Sequence, residues 1–272
     1  MQRLRALKVV SGHRRGSSRP VVVDTEAGLR FAKLRGAAQG TGPLVAEVIV
    51  GALADAIGLS VPARTLVSLD PEIPVDEGDD ELTDLLDASV GENLGFGYLA
   101  DARELTRAEV ESISADDRAA ILWLDRLVLN PDRTQRNPNL VWSEGRVWLI
   151  DHGAALRFQY DWSSVTEDAP RRAGVEIEPH LFASSVTAID LATWDEIFAA
   201  RLTPDVLEAA VAAVPDSFLA PFVPREPLPR RRAAYVDYLS RRLVAPRPFL
   251  EIETPAPESR TRGRRPDWMT RR

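Results

Sequence analysis

Asp132, Asn137 and Asp151 are the residues of this chain whose types and spacing best suit chemistry. Asn137 follows Asp132 by five residues, and Asp151 follows Asn137 by fourteen. Two carboxylates and one amide in that order form a set for metal-assisted phosphoryl transfer. Asp132 can accept a hydrogen bond from an attacking hydroxyl and orient it. Asp151 and the Asn137 amide oxygen can hold Mg²⁺ against phosphate oxygens. Taken singly, each residue also fits a plainer role. Asp132 can cap a turn, Asn137 and Asn139 can make Asx-turns beside prolines, and Asp151-His152-Gly153 can simply end a strand. The joint pattern, with a helix before it and a hairpin inside it, favours the chemistry.

Those flanking elements are legible. Ser114 is a candidate N-cap, Asp116 and Asp117 suit the positive end of a helix dipole, and Ile121, Leu124, Leu127 and Val128 form an apolar face. Pro131 biases Asn130 away from helical backbone, so the helix should end there and release the Asp132 loop. Leu140–Trp142 and Val147–Ile150 predict a hairpin with Ser143 to Arg146 as a four-residue connection.

Upstream, residues 5–10, 21–23 and 29–34 predict three strands, and a strand is also expected within 61–69. Leu44 to Ile57 predicts a helix ended by Gly58. Residues 70–87 are expected as an acidic loop entering a short helix, and the glycine-rich stretch 91–99 as a link between two lobes. Downstream, residues 189–201, 204–214 and 230–243 predict helices. The order implies an α+β layout: a sheet-rich N-lobe over residues 1–110, a mainly helical C-lobe over 111–245, and a disordered Arg/Pro-rich tail over 246–272.

Lysine usage marks a further candidate. Among 34 Lys and Arg residues only Lys8 and Lys33 are lysines. Lys33 lies on the third predicted strand and can offer phosphates a compact point charge that a guanidinium cannot. Glu47, fourteen residues on, could pair with it, although a Glu in a first helical turn is also favoured by the dipole alone. In the Ser11–Pro20 turn, Ser17 and Ser18 could add hydroxyls to backbone N–H groups laid over a nucleotide's phosphates. Arg126, Arg133 and Arg136 crowd the Asp132 loop, where they suit either phosphate or an ion pair with Asp125 or Glu144. Trp123, Trp142 and Trp148 are expected in the core.

Composition excludes several classes. The chain has 272 residues, no Cys, and three scattered His, which leaves no thiolate or zinc site. No run approaches the ~18 apolar residues of a membrane span. A net charge of −7 argues against a nucleic-acid binder. Met1-Gln-Arg-Leu-Arg5 has no apolar signal core, so a cytoplasmic location is expected.

The segments Gly16–Pro20, Phe31–Lys33, Glu47, Gly58–Pro62, Asn130–Arg133, Asn137–Leu140 and Leu149–Gly153 together resemble the HipA-like kinases, in their compact bacterial branch. The resemblance spans about residues 10–160. It implies a protein-kinase-like, two-lobed fold that uses ATP and Mg²⁺, with Lys33 on phosphates, Asp132 catalytic, and Asn137 and Asp151 on metal. HipA toxins phosphorylate serine on a protein, autophosphorylate, and pair with a DNA-binding antitoxin, so a small antitoxin-like partner is implied too. The chain is expected to lack the N-terminal region through which the toxins meet that partner. The Asp-Arg loop also resembles phosphoinositide kinases, but Thr134 stands where those have His, and His152 replaces the Phe of Asp-Phe-Gly. The alternatives are a small-molecule kinase of the aminoglycoside or choline type and a nucleotide-binding pseudokinase that acts as an interaction module. The former usually carry a His where this chain has Asn130.

Overall fold

The computed structural model describes residues 1–12, 19–76, 79–173, 178–220 and 227–250. Strands β1 (Gln2–Gly12), β2 (Val21–Thr25), β3 (Arg30–Lys33), β4 (Arg64–Leu69) and β5 (Gly91–Gly97) close into a barrel in the order β1-β2-β3-β5-β4. Closure depends on β1 serving two partners. Its first residues, Gln2 to Arg5, run parallel to Thr65–Ser68 of β4. Its later residues, past an irregularity between Ala6 and Lys8, run antiparallel to β2. Val21, Val22 and Val23 are all buried, which explains an apolar run rather than an alternating one: β2 is covered on both faces.

The glycine-rich stretch expected to link two lobes is instead strand β5, paired on both sides, with β3 and with β4. The glycines allow close packing. A Cβ on Gly95 would lie 2.5 Å from Val67 Cγ2 and 2.7 Å from Thr65 Oγ1. Composition read as a linker is here the signature of strands pressed together.

Helix α1 (Gly42–Ile57) follows β3 and is buried almost all round, from Leu44 to Ile57. A helix apolar on every side belongs inside, and α1 packs against later helices as well as the barrel. Gly58, at φ 93°, closes it, as the sequence predicts, and the helix begins two residues before the expected Leu44, with Pro43 in its first turn. Helix α2 (Asp80–Asp87), capped by the Asp79 carboxylate, adds Leu82 and Leu86 to the apolar cluster of the barrel.

Beyond the barrel, α3 (Arg107–Ser112) and α4 (Ala115–Leu127) lead to the Asp132 loop. Ser114 caps α4 by accepting the Asp117 N–H at 3.0 Å. The hairpin is β7 (Leu140–Ser143) and β8 (Arg146–Leu149), joined by two residues rather than four: Glu144 and Gly145, at φ 53° and 75°, make the left-handed turn that short hairpins require. A short strand, β6 (Arg103–Glu104), pairs with β7.

The remainder is helical: α5 (Ala188–Arg201), α6 (Pro204–Ala212), α7 (Asp216–Leu219) and α8 (Leu228–Leu243). Trp123 is fully buried among them, as expected, but Trp142 and Trp148 are half-buried on the hairpin, where the Arg146 guanidinium lies 4.3 Å over the Trp148 ring. Residues 246–250 do not belong to a disordered tail. Phe249 is fully buried edge-on to Trp123 at 5.5 Å, and Arg247 bonds Asp195 at 2.5 Å. Residues 251–272 lie outside the described residues. The fold is mixed α/β, and among the described residues no helix is long and apolar enough to cross a membrane.

Candidate active site

Lys33 ends β3 where the barrel meets α1, between buried Ala32 and Leu34. Its Nζ donates to Glu47 Oε1 at 2.5 Å and to Asp151 Oδ1 at 2.6 Å. Glu47 is on the second turn of α1, not the first, so the dipole does not explain it; its carboxylate is 1% exposed and is held by Lys33. The second oxygen, Oε2, lies 3.3 Å from His152 Nδ1. Burial alone would lower the Lys33 ammonium, but Glu47 and Asp151 beside it hold it well above its usual range. Burial would likewise raise the Glu47 carboxyl, yet Lys33 and His152 hold it well below. The cluster is ionised because each buried charge has a close partner.

The Asp132 loop is built by hydrogen bonds that sequence reasoning did not assign. Helix α4 ends at Leu127, and Leu129 turns the chain with φ 56°. Asn130 then accepts the Asp132 N–H at 3.1 Å. From the far end of the loop, Asn139 Nδ2 donates to the Asp132 carbonyl at 3.1 Å and to its carboxylate at 3.3 Å, which aims that carboxylate. Thr134 and Asn137 close a turn between them, through Thr134 N to Asn137 O at 3.0 Å and Asn137 N to Thr134 Oγ1 at 3.2 Å. Arg133 points inward, fully buried, with its Nε 2.6 Å from Asp125 and its Nη1 2.6 Å from the Asn139 carbonyl. Of the two roles open to Arg133, the ion pair is the one it fills. Arg136 is exposed and lies 3.6 Å from Glu178.

Lys33, Asp132, Asn137 and Asp151 all line one cleft of about 550 Å³, together with Gln39, Pro43 and Tyr160. Glu47 stands behind Lys33 and braces it. Ser17 and Ser18 lie outside the described residues. Backbone strain gathers around the cleft. Leu129, Asn139, Asp151 and Leu156 all have φ between 48° and 57°, a region that costs a side-chain-bearing residue about 1–3 kcal/mol. Long-range backbone bonds hold it in place: Leu156 N to Val128 O at 2.8 Å and Ile150 N to Asn139 O at 3.1 Å. Gly153 approaches α1 so closely that a Cβ there would lie 3.0 Å from Pro43.

A cleft carrying a braced lysine and three oxygen-bearing side chains is of the phosphotransferase class. The model of the HipA-like kinase family matches residues 7–217, and the chain belongs to that family. Among solved structures, the crystal structure of a Helicobacter pylori proinflammatory kinase, CtkA, is similar over 87% of this chain and 98% of that one, at 9% identity and a TM-score of 0.49. A search of curated proteins gave no match.

Three residues of the site went unassigned in the sequence. Asn130 was visible as the residue that ends a helix before Pro131, Asn139 as a turn former, and His180, whose Nε2 lies 2.9 Å from Asp125, only as an isolated histidine. The pair of asparagines flanking an Asp at two residues before and seven after is the signal that could have raised them, since an Asn supplies both a donor and an acceptor to a loop.

Proposed function

We propose that the chain is an ATP- and Mg²⁺-dependent kinase with a two-lobed, protein-kinase-like arrangement. Residues 1–110, barrel and α1, take the nucleotide phosphates, and residues 111–245 supply the catalytic and metal-binding loops. The observation that carries this reading is convergence. A lysine on β3, two residues of the 128–139 loop and the second residue after the hairpin meet on one cleft, although Lys33 and Asp151 are 118 residues apart.

The roles follow from chemistry. Lys33 presents a compact charge to the phosphates, and Glu47 keeps it charged and aimed. Asp132 accepts a hydrogen bond from the acceptor hydroxyl and points its oxygen at the γ-phosphorus. The new O–P bond forms as the bond from phosphorus to the bridging oxygen breaks, ADP leaves, and the hydroxyl proton passes to the Asp132 carboxylate. Asp151 and Asn137 would hold Mg²⁺, since both offer hard oxygen donors to the same cleft. Bound there, the ion would neutralise charge on the phosphates. The Lys33–Asp151 contact is the cleft's own neutral pair, a cation for phosphate resting on an anion for metal. The acceptor is read as a Ser or Thr hydroxyl of a protein, this chain included. That part rests on the resemblance to HipA.

Intact-mass spectrometry tests this reading directly. The protein, incubated with Mg²⁺-ATP alone and with cell lysate, should gain a phosphoryl group or transfer one to a lysate protein. Binding of Mg²⁺-ATP with no transfer to itself, to lysate proteins or to small alcohols would replace the kinase with a nucleotide-binding interaction module. Asp151→Asn sharpens the metal assignment: it should fold normally and lose the Mg²⁺-dependent part of nucleotide affinity in calorimetry. Affinity unchanged in Mg²⁺ would remove Asp151 from the metal site.

A further inference from the structure

The loop that presents Asp132 and Asn137 to the cleft has a back, and residues 178–182 lie against it. Thr134 and His180 form an isolated antiparallel bridge. The Leu181 N–H donates to the Arg133 carbonyl at 2.9 Å, and Gln135 Nε2 donates to the Leu181 carbonyl at 2.8 Å. The His180 side chain reaches further in. It is 6% exposed, and its Nε2 lies 2.9 Å from Asp125 Oδ2. Its other nitrogen, Nδ1, accepts the Phe182 N–H at 3.1 Å. A ring nitrogen that accepts carries no proton, so the proton is on Nε2 and is donated to Asp125.

Asp125 is therefore a hub with three donors. Its Oδ1 takes Asn130 Nδ2 at 2.8 Å, and its Oδ2 takes both Arg133 Nε at 2.6 Å and His180 Nε2. Asn130 and Arg133 lie two residues before and one residue after Asp132. Both ends of the Asp132 segment thus hang from one buried carboxylate. A second cation on Asp125, beside Arg133, would leave net positive charge in the interior. A neutral imidazole supplies the third donor without that cost.

We propose that His180 is a positioning residue for phosphoryl transfer. Through Asp125 it fixes the two residues that flank Asp132, and it touches no substrate. The role rests on the kinase reading above. It requires that small displacements of Asp132 be costly, which holds wherever a reacting group must be held at attack distance.

Two substitutions separate the two ring nitrogens. His180→Asn puts an amide oxygen near Nδ1, keeps an acceptor for Phe182 N–H, and leaves nothing at Nε2. His180→Gln puts an amide nitrogen near Nε2 and keeps the donor to Asp125. His180→Asn should lower kcat by roughly 10–100-fold, the scale of a small misplacement at a reacting centre. Its KM for ATP should stay within about twofold, because Lys33 and Asp151 are untouched. His180→Gln should keep kcat within about threefold of wild type. Amide hydrogen exchange gives a readout independent of activity. Amides of residues 132–139 should exchange at least about tenfold faster in His180→Asn, while those of α4 stay protected. His180→Asn with wild-type kcat and unchanged exchange would overturn the proposal. So would both variants losing kcat together with thermal stability, since that marks a packing role the Gln donor cannot rescue. If the wild type transfers no phosphoryl group, the kinase reading falls by itself, and the exchange rates alone then decide whether His180 holds the loop.

Discussion

Glu47 and Asp125 are two buried carboxylates in similar company. Each is 1% exposed. Each is bonded to one basic side chain and one imidazole: Glu47 to Lys33 and His152, Asp125 to Arg133 and His180. Burial alone would raise both carboxyl pKa values, and in each case the neighbouring cation holds the carboxyl well below its usual range. The difference lies in what else the cation touches. Lys33 has a second carboxylate, Asp151, whose side chain is 47% exposed in the cleft. Among the described residues, the further partners of Arg133 are backbone carbonyls, those of Pro138 and Asn139. A lysine is a point charge that can exchange one partner for another, whereas an arginine fork is locked by its geometry. One cluster is left open for a ligand, and the other is closed and serves as a scaffold. The side chains are nearly the same, and exposure separates the jobs.

The largest effect should come from the residue hung between the clusters. Asp132→Asn removes the carboxylate proposed to orient the attacking hydroxyl and should lower turnover by ~10²–10⁴-fold. It sits on a loop, so fold and Mg²⁺-ATP binding should persist. Equal turnover in the variant and the wild type would separate Asp132 from the chemistry.

Next is the closed cluster. Arg133→Met leaves Asp125 buried without its cation and should cost about 3–5 kcal/mol in denaturant unfolding. Lys33→Met should cost less, because the second partner it frees, Asp151, can turn to water, whereas Arg133→Met also strands the carbonyls of Pro138 and Asn139. A larger loss from Lys33→Met than from Arg133→Met would break the distinction between an open and a closed cluster.

The pH dependence sharpens the same contrast. Glu47 and Asp125 carry folded pKa values depressed below 4.5 and 3.8. Their stabilisation is complete above those ordinary values and is lost as pH falls towards the folded ones. Lys33 is raised above 10.5, so its contribution is complete below that value and is lost as pH rises past the folded one. The stability contributed by these three groups should therefore be flat between about pH 5 and 10 and fall on both sides. Arg133→Met should flatten only the acid limb, since arginine does not titrate in range. Lys33→Met should flatten both. An alkaline limb that survives in Lys33→Met would assign it to other groups. The smallest effect is a control. Ser114→Ala removes the cap of the helix that carries Asp125 and should cost ~1 kcal/mol in thermal unfolding with turnover unchanged.

Much of the site was legible because its signals are local. Asp132 could be placed on a loop because Pro131 bars its predecessor from helix, and Ser114 marked the start of the helix before it. Lys33 stood out through the rarity of lysine. The errors have a common cause. Gly91–Gly97 read as a linker because glycine content does not reveal what lies alongside, and in this fold it is two strands of a barrel. Pro246 to Leu250 read as tail because one aromatic in a polar stretch carries little periodicity, and only Trp123 explains why Phe249 is buried.

The sequence by itself determined the element types near the site, the HipA-like kinase resemblance, and which side chains could do chemistry. These depend on neighbours a few residues apart, through capping, turn preference and proline sterics. Tertiary structure alone decided the pairings of residues over 50 positions apart: Lys33 with Asp151, Glu47 with His152, and Asp125 with His180. It also decided exposure, which made Arg133 a buried strut and left Asp151 in an open cleft. A single sequence encodes residue types along one dimension. The field at a charged group depends on which other charges, and how much water, come within a few ångströms in three.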